Sequence, residues 1–178
     1  MILIGICGGT NSGKTTITKK LLEILPNAIC IQCDIYMFEN TKKYQDEIFK
    51  NLGVEKAPNI IDRDYFYANY ENVKMWINTI SPYIIDSIKS ELNKNRDKLY
   101  AIIDWCYLPL CSIFDECNIK IVVQANEDER FARIKSRFSE KDHIEQYEIN
   151  EWSKETYFNR IKYTKKASDR KKVWLLYR

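Results

Sequence analysis

The segment from Gly8 to Thr15 constrains the fold of this chain more than any other. It reads GGTNSGKT, an unbroken G-x-x-x-x-G-K-[ST] phosphate-binding loop. The apolar run Ile2 to Ile6 precedes it, and Thr16 to Leu25 follows with the pattern of a helix. Because the motif works between a buried strand and a helix, the sequence predicts a strand, loop and helix unit that binds a polyphosphate. A chance match on an ordinary strand–turn–helix is the alternative.

The loop residues suit both a nucleotide and its metal ion. Glycines in the loop let the backbone curl until successive N–H groups point at one centre, where the following helix adds its positive dipole end. Lys14 can reach the outer phosphates, and the Thr15 hydroxyl can bind the magnesium ion that accompanies them. We therefore predict ATP and Mg²⁺ as cofactors. The predicted nucleotide-binding residues of this segment are Gly8, Gly9, Thr10, Asn11, Ser12, Gly13, Lys14, Thr15 and Thr16.

Length and hydrophobic pattern predict one α/β domain over residues 1–178. The 178 residues, of which 45% are hydrophobic, suffice for a single core. Short apolar runs alternate with helical stretches, which favours a three-layer α/β/α fold with a five-stranded parallel sheet, because parallel strands need crossover helices. The predicted strands are Ile2 to Ile6, Ala28 to Ile31, Tyr100 to Ile103, Ile119 to Val123 and Val173 to Tyr177.

Three stretches between the strands have distinct patterns. Glu47 to Ile61 has weak periodicity and contains a glycine and a proline, which predicts an irregular excursion. Asn69 to Asn95 is helical in pattern, but Pro82 removes a backbone donor and is expected to kink or divide the helix. Asn126 is a candidate N-cap of a further helix, whose first turn is acidic and whose later turns are basic, as the helix dipole prefers.

Composition argues against several classes of function. The formal net charge of +3 is too small for a nucleic-acid-binding domain. No run approaches the ~18 consecutive apolar residues of a membrane span, and the amino terminus lacks the pattern of a signal peptide. We therefore expect a cytoplasmic protein, monomeric or weakly homo-oligomeric, with neither nucleic acid nor membrane as a partner. The six cysteines lie in or beside apolar runs, which predicts reduced, mostly buried thiols; a zinc site at Cys30 and Cys33 is the alternative.

Two aspartates follow predicted strands at the sheet edge that also carries the loop. Ligands of open parallel sheets bind beyond these carboxyl ends. Asp34 is a candidate catalytic base for an attacking hydroxyl and a candidate magnesium ligand; the N-cap of the next helix is the alternative. Asp104 ends the run Tyr100 to Ile103 and is a candidate magnesium ligand, direct or through water, or else a turn residue.

Two arginines on the helix after Asn126 are further candidates. Arg133 and Arg137 lie four residues apart, so they share one helix face. A planar, always-charged guanidinium stabilises transferring phosphate oxygens well, which makes both arginines candidate nucleotide-binding residues and Arg137 a candidate catalytic residue. Arg133 can instead pair with Glu129. Arg137 precedes a polar stretch that we interpret as a lid over about residues 138–166, which would exclude water before transfer.

The order of these motifs resembles the small-molecule kinases of the P-loop class. The first stretch, IGICGGTNSGKTTITKKLLEILPNAICIQCD, is similar to nicotinamide riboside kinases and uridine kinases, in which an acidic residue falls on Asp34. From the middle onward the chain resembles dephospho-coenzyme A kinase, and the likeness covers roughly residues 1–140. The matching pieces are Cys33-Asp34-Ile35, Asp62-Arg63, Tyr67-Ala68-Asn69, Ser81-Pro82, Asp104 to Leu108 and Arg133 to Arg137.

The resemblance implies a kinase that transfers the γ-phosphate of ATP to a hydroxyl of a nucleoside-like small molecule. The first expectation for the acceptor is the ribose 3′-hydroxyl of dephospho-coenzyme A, in coenzyme A biosynthesis. The second is the 5′-hydroxyl of a nucleoside or of nicotinamide riboside. The resemblance places Asp34, Lys14 and Arg137 on catalytic positions. A P-loop ATPase or nucleotide-dependent switch without kinase activity is the alternative from another class.

The departures from the dephospho-coenzyme A kinase pattern lie at positions that concern the phosphate acceptor. Gln32, Ser81 and Cys106 stand where dephospho-coenzyme A kinases carry other residues, namely an aspartate, a histidine and a proline. The acceptor pocket is expected in a helical excursion over about residues 36–95. The departures concern recognition of the coenzyme A precursor and leave the phosphate-transfer positions intact.

Overall fold

A parallel sheet organises the computed structural model, which describes residues 1–53, 70–139 and 174–177. Its strands lie side by side in the order β2-β3-β1-β4-β5, and every neighbouring pair is parallel. The predicted α/β class with a parallel sheet is confirmed. The strands are β1 (Ile2–Cys7), β2 (Ala28–Gln32), β3 (Tyr100–Asp104), β4 (Ile119–Gln124) and β5 (Trp174–Tyr177).

Helices connect the strands of the described ranges. A short 3₁₀ turn, Leu108–Leu110, follows β3. The helices are α1 (Lys14–Ile24), α2 (Cys33–Lys43), α3 (Gln45–Leu52), α4 (Tyr70–Lys94), α5 (Ile113–Glu116) and α6 (Glu127–Ser139). None of the helices in these ranges is long and apolar enough to cross a membrane.

Apolar side chains pack on both faces of the sheet, which gives the predicted three layers. Ile102 belongs to the cluster that packs against α1, whereas its neighbour Ile103 belongs to the cluster that contains the buried side chains of α4. Successive side chains of a strand point to opposite faces, so a strand that is apolar at every position is buried on both sides. The continuous apolar runs of the sequence therefore marked inner strands correctly.

The strand register brings the candidate residues to one edge. Ile6 and Gln32 both pair with Asp104, and Cys7 pairs with Val122. The ends of four neighbouring strands therefore lie level, at the edge from which the phosphate-binding loop and α2 emerge. This alignment is what an open parallel sheet uses to form a ligand-binding crevice.

Pro82 was predicted to kink or divide the helix, and division is excluded because α4 is continuous through Pro82. Pro82 is exposed, and the carbonyl of Asn78, which loses the donor at position 82, accepts a hydrogen bond of 3.4 Å from the Ser81 hydroxyl. A stripe of fully buried side chains holds the helix against the sheet and offsets the lost backbone bond. The stripe consists of Val73, Ile77, Ile80, Ile84 and Ile88.

The excursion predicted over Glu47 to Ile61 is partly helical. Residues up to Leu52 form α3, which ends at Gly53 in a left-handed conformation with φ +69°. The Phe49 side chain is buried and anchors this helix. Residues 54–61 lie outside the described ranges.

All six cysteines are reduced thiols, as predicted. Burial raises the pKa of Cys7 to about 12 and that of Cys30 to about 11, because an apolar environment disfavours the thiolate. Among the residues that the structure describes, no group of three or more histidine, cysteine or acidic residues is arranged to hold a metal ion. The alternative of a zinc site at Cys30 and Cys33 therefore finds no support there.

Replacing the internal proline should stabilise the protein. Pro82→Ala restores a donor for the Asn78 carbonyl in mid-helix, and we expect the free energy of unfolding to rise by about 1 to 3 kcal/mol. Urea denaturation followed by circular dichroism measures the change. Lys89→Ala, at an exposed position of the same helix, is the control and should shift stability by less than about 0.5 kcal/mol. A less stable Pro82→Ala variant would contradict this account.

Candidate phosphate-binding site

The loop between β1 and α1 turns on residues with positive φ. Gly8, Asn11 and Gly13 have φ values of +145°, +57° and +102°, and the Ser12 amide donates a 3.1 Å hydrogen bond to the carbonyl of Gly9. Only glycine adopts the conformation of Gly8 without strain, and asparagine tolerates the left-handed region better than other side chains. The sequence of the loop therefore suits its observed path.

Glycine at position 8 also permits a close approach of the neighbouring strand. A Cβ atom there would overlap the carbonyl oxygen of Val123 in β4 and would lie 2.9 Å from the Ser12 hydroxyl oxygen. Ser12 is completely buried by this packing. The loop is therefore wedged against the carboxyl end of β4, and its shape depends on the sheet beneath it.

The amino terminus of α1 is left open for an anion. Its N-cap is Gly13, which has no side chain to accept the first amide hydrogens, and its first turn carries no acidic residue. The amides of a first helical turn lack partners within the helix, and the helix dipole makes their surroundings positive. Lys14, Thr15 and Thr16 form that first turn, so these predicted residues stand at a helix end that can accept an anion.

Asp104 lies beside this helix, buried and held in place. Its carboxylate accepts a 3.1 Å hydrogen bond from the hydroxyl of Thr18, which is also buried. Burial raises the pKa of Asp104, while the charge of Lys14 and the hydrogen bond from Thr18 lower it, and the charge of Asp34 raises it. Asp104 is therefore the last residue of a buried strand, fixed by Thr18 and within electrostatic reach of Lys14, and it is not a turn residue.

Thr18 is a residue of this site that the sequence analysis missed. It lies four positions after Lys14 on α1, on the face that turns toward β3. A threonine that follows the loop by one helical turn carries no distinctive pattern of its own. The contact becomes visible only when the register of β3 is known.

Asp34 stands in the first turn of α2 and is exposed. The N-cap of α2 is Gln32, and no side chain caps this helix, so the alternative role of Asp34 as a cap is not observed. Its charge raises the pKa of Asp104, which places the two carboxylates within electrostatic reach of each other. An exposed carboxylate next to the crevice is available to a substrate hydroxyl.

Arg133 contacts the loop and an acidic neighbour together. Its Nη1 donates to the carbonyl of Asn11 at 3.3 Å, and its Nη2 lies 3.1 Å from the Glu129 carboxylate. The ion pair weighed as the alternative is therefore present, and the arginine still touches the phosphate-binding loop. Because the Arg133–Glu129 ion pair is exposed, it contributes little to the stability of the fold, and its main effect is to orient the Arg133 side chain.

Arg130 is the second residue that the sequence analysis missed. Its side chain is only 3% exposed, and its Nε donates a 3.2 Å hydrogen bond to the carbonyl of Thr10. Asn126, whose side chain accepts from the amides of Asp128 and Glu129, caps α6 as predicted and fixes its first turn. The carbonyl of Asn126 accepts from the Arg130 amide, so the capped turn sets the position of Arg130.

Other predicted parts of the site are only partly described. Arg137 lies within α6, but the orientation of its side chain is outside what the structure describes, as is the predicted lid beyond residue 139. The described part of the excursion over residues 36–95 consists of α2, α3 and α4. Between α2 and α4 lies a cavity of about 310 Å³, whose lining includes Tyr36, Asn40, Tyr83 and Ser87.

The donors at the site fit a magnesium ion. Thr15 and Asp104 offer a hydroxyl and a carboxylate oxygen, which are hard ligands of the kind that Mg²⁺ prefers. Magnesium in such sites is held by one or two protein groups together with substrate phosphates and water, so a full cage of protein ligands is not required. Two oxygen donors beside an open helix terminus satisfy that requirement.

Comparison with known proteins identifies relatives along most of the chain. Residues 4–157 match the family model described as an AAA domain. A uridine kinase of Borreliella burgdorferi (strain ZS7) is 35% identical over 72 residues, which make up 40% of this chain and 34% of that protein. A uridine kinase of Borrelia duttonii (strain Ly) is 29% identical over 139 residues, or 74% of this chain and 64% of that protein. The chain thus matches about a third to two thirds of the length of these relatives.

Solved structures share the fold. TT1252 from Thermus thermophilus superposes with a TM-score of 0.69 at 17% identity, covering 99% of this chain and 88% of that one. Deoxyadenosine kinase from M. mycoides superposes with a TM-score of 0.51 at 14% identity, covering 99% and 90%. At these identities the likeness concerns the fold, and together with the family match it confirms the predicted P-loop class.

The buried carboxylate should leave a signature in the pH dependence of stability. Folding raises the pKa of Asp104, so the folded state binds the carboxyl proton of Asp104 more tightly than the unfolded state does. The stability that this proton contributes is therefore lost as the pH rises through the raised pKa. Asp104→Asn keeps an oxygen that can accept from Thr18 but cannot ionise. We expect the variant to be at least as stable as the wild type at neutral pH.

Urea denaturation from acidic to neutral pH tests this expectation. The stability of Asp104→Asn should vary less with pH than that of the wild type. Asp86→Asn, at an exposed position on α4, is the matched control and should follow the wild-type curve. A marked loss of stability at neutral pH in Asp104→Asn alone would show that the ionised carboxylate stabilises the fold.

Proposed function

This chain belongs to the AAA domain family, and we propose that within it the chain is an ATP-dependent kinase for a hydroxyl of a nucleoside-like small molecule. The observation that carries the proposal is the convergence of charged groups at one sheet edge. The uncapped terminus of α1, the buried Asp104 and the exposed Asp34 meet there. Phosphoryl transfer requires mainly that the reactants are positioned and that the charge is stabilised, which this arrangement provides.

The transfer step assigns a task to each group. The acceptor hydroxyl gives its proton to the carboxylate of Asp34, and its oxygen attacks the γ-phosphorus of ATP. The bond from the γ-phosphorus to the bridging oxygen breaks, and ADP leaves with that oxygen. Lys14 and the amides of the first turn of α1 stabilise the negative charge that is shared by the oxygens. Arg137 is proposed to add a further positive charge on the same side.

Thr15 and Asp104 are the residues proposed to hold magnesium, Thr15 through its hydroxyl and Asp104 directly or through water. The ion, when bound, neutralises phosphate charge. Thr18 orients the Asp104 carboxylate through the 3.1 Å hydrogen bond. Asp34, the other candidate ligand, is exposed and lies at the start of α2, so we assign it to the acceptor hydroxyl instead.

For the acceptor we propose the 5′-hydroxyl of a nucleoside. Uridine kinases from several bacteria are similar to this chain. Dephospho-coenzyme A is the second candidate, supported by the order of motifs from Asp34 through Arg133 to Arg137. The departures at Gln32, Ser81 and Cys106 lie on the acceptor side and favour the nucleoside.

The remaining assignments complete the proposal. The excursion over residues 36–95 is proposed to bind the acceptor, and residues from about 138 to 166 are proposed to form the lid. The whole chain would then act as one kinase domain, as a monomer or weak homo-oligomer. A nucleotide-dependent switch, the candidate from another class, would use the same loop without needing Asp34.

An acceptor panel tests the activity. Purified protein with magnesium-ATP should release ADP in a coupled assay when a nucleoside acceptor is added, and the panel comprises uridine, cytidine, nicotinamide riboside and dephospho-coenzyme A. Product analysis by mass spectrometry distinguishes a 5′-phosphate from a 3′-phosphate. ADP release that does not depend on any acceptor would point to an ATPase, and silence with every acceptor would oppose the kinase proposal.

Removing the proposed base should separate binding from catalysis. In Asp34→Asn we expect kcat to fall by about 10²- to 10⁴-fold, because a general base is lost, while the affinity for magnesium-ATP changes little. Isothermal titration calorimetry measures the affinity, and the coupled assay measures kcat. Glu23→Gln, which changes an exposed carboxylate near the end of α1, is the control. Unchanged turnover in Asp34→Asn would exclude this residue as the base.

A further inference from the structure

We infer that Arg130 is a positioning residue for the phosphate-binding loop and that residue 9 is a glycine to make room for its guanidinium group. The inference deepens the proposed function, since it concerns the loop that would hold ATP. Neither the loop motif nor the family resemblance points to Arg130, and the role follows from its contacts.

The guanidinium of Arg130 occupies the space beside Gly9. A Cβ atom built on Gly9 would overlap the Nη2 and Cζ atoms of Arg130, and it would lie 2.9 Å from Nη1. The arginine is 3% exposed and donates from Nε to the carbonyl of Thr10. One side chain thus packs against one loop residue and hydrogen-bonds the next.

The backbone conformation does not explain the glycine at this position. The glycines with positive φ are Gly8, Gly13 and Gly53, so Gly9 lies in a region that other residues adopt. Its lack of a side chain is therefore a matter of space, and the space is filled by Arg130. Position 9 differs in this from position 8, where both the conformation and the nearby strand require glycine.

Two arginines of α6 bind consecutive carbonyls of the loop. Arg130 contacts the carbonyl of Thr10, and Arg133 contacts the carbonyl of Asn11. The two arginines are three residues apart on the helix, and the two carbonyls belong to adjacent loop residues. Arg130 is buried, whereas Arg133 is exposed and shared with Glu129. Buried, charge-assisted hydrogen bonds are stronger than exposed ones, so the main restraint on the loop comes from Arg130.

The restraint has a consequence for phosphate binding. Because Arg130 holds the Thr10 carbonyl, this carbonyl cannot turn freely toward an anion, and the loop amides remain available to it. The guanidinium also stays charged at every accessible pH, so it adds positive potential beneath the site. A loop held in its binding shape loses less conformational freedom on binding, and its affinity rises accordingly.

A double-mutant cycle tests the inference. The variants are Gly9→Ala, Arg130→Ala and the combination of both. Gly9→Ala should lower the melting temperature of the protein without nucleotide by at least about 2 °C, because the new methyl group collides with the guanidinium. In the Arg130→Ala background the same substitution should cost almost nothing, since the space is then empty.

Binding measurements show whether the contact positions the loop. Arg130→Ala should lower the affinity of the protein for magnesium-ATP and for inorganic tripolyphosphate by a similar factor of at least roughly tenfold, because both ligands bind to the loop amides. Arg130→Lys keeps the charge but lacks the planar fork, so it should restore little of the affinity. If Arg130 only supported the fold, the folded Arg130→Ala variant would bind both ligands with unchanged affinity. The Arg130→Lys variant and the wild type would then also have equal affinities.

Matched controls isolate the two effects. Gly53→Ala introduces backbone strain at φ +69° with no atom within 4 Å of the added Cβ, so it should lower stability equally with and without Arg130. Arg96→Ala removes an exposed arginine that bonds only to Asn93 among the described contacts, and it should leave both affinities unchanged.

The outcomes distinguish this inference from the proposed function. If the wild type binds magnesium-ATP but Gly9→Ala costs as much stability in the Arg130→Ala background as alone, the steric account is overturned. Equal affinities in Arg130→Ala and the wild type would overturn the positioning role. If the wild type binds neither magnesium-ATP nor tripolyphosphate, the proposed function fails, while the stability cycle still decides whether Arg130 and Gly9 depend on each other.

Discussion

The site depends on two glycines, Gly8 and Gly9, whose lack of side chains lets neighbouring groups approach the phosphate-binding loop. At position 8 it lets the Val123 carbonyl of β4 approach, and at position 9 it admits the guanidinium of Arg130. The loop is therefore held from below by the sheet and from the side by α6. The loop amides and the uncapped amino terminus of α1 remain without acceptors from the helix cap, so a bound anion would balance the positive potential there.

The same edge of the sheet combines groups whose surroundings differ. Asp104 is buried and hydrogen-bonded to Thr18, whereas Asp34 is exposed at the start of α2. In the proposed mechanism, the buried and oriented carboxylate would hold the metal ion, and the exposed one would exchange a proton with the substrate. Two aspartates that follow neighbouring strands can thus perform different tasks because the fold gives them different environments.

Much of the fold was predictable because the signals were local. Continuous apolar runs identified the strands, and Asn126 with its acidic successors identified the cap of α6. The sequence left open whether Pro82 would kink or divide the helix, because continuity depends on the long buried stripe of α4 and on Ser81. Thr18 and Arg130 were likewise missed, since each acts across more than eighty residues of sequence through contacts that only the strand register creates. The roles of the loop residues, Asp34 and the two predicted arginines remain predictions.

A helix that begins without a cap has a consequence beyond catalysis. The first turn of α1 has no side-chain cap, so a bound nucleotide would supply the hydrogen-bond partners that the chain itself does not. Ligands that bind only the folded state shift the folding equilibrium by mass action. A protein of this kind would therefore resist unfolding, and the proteolysis that follows it, better with its nucleotide bound than without it.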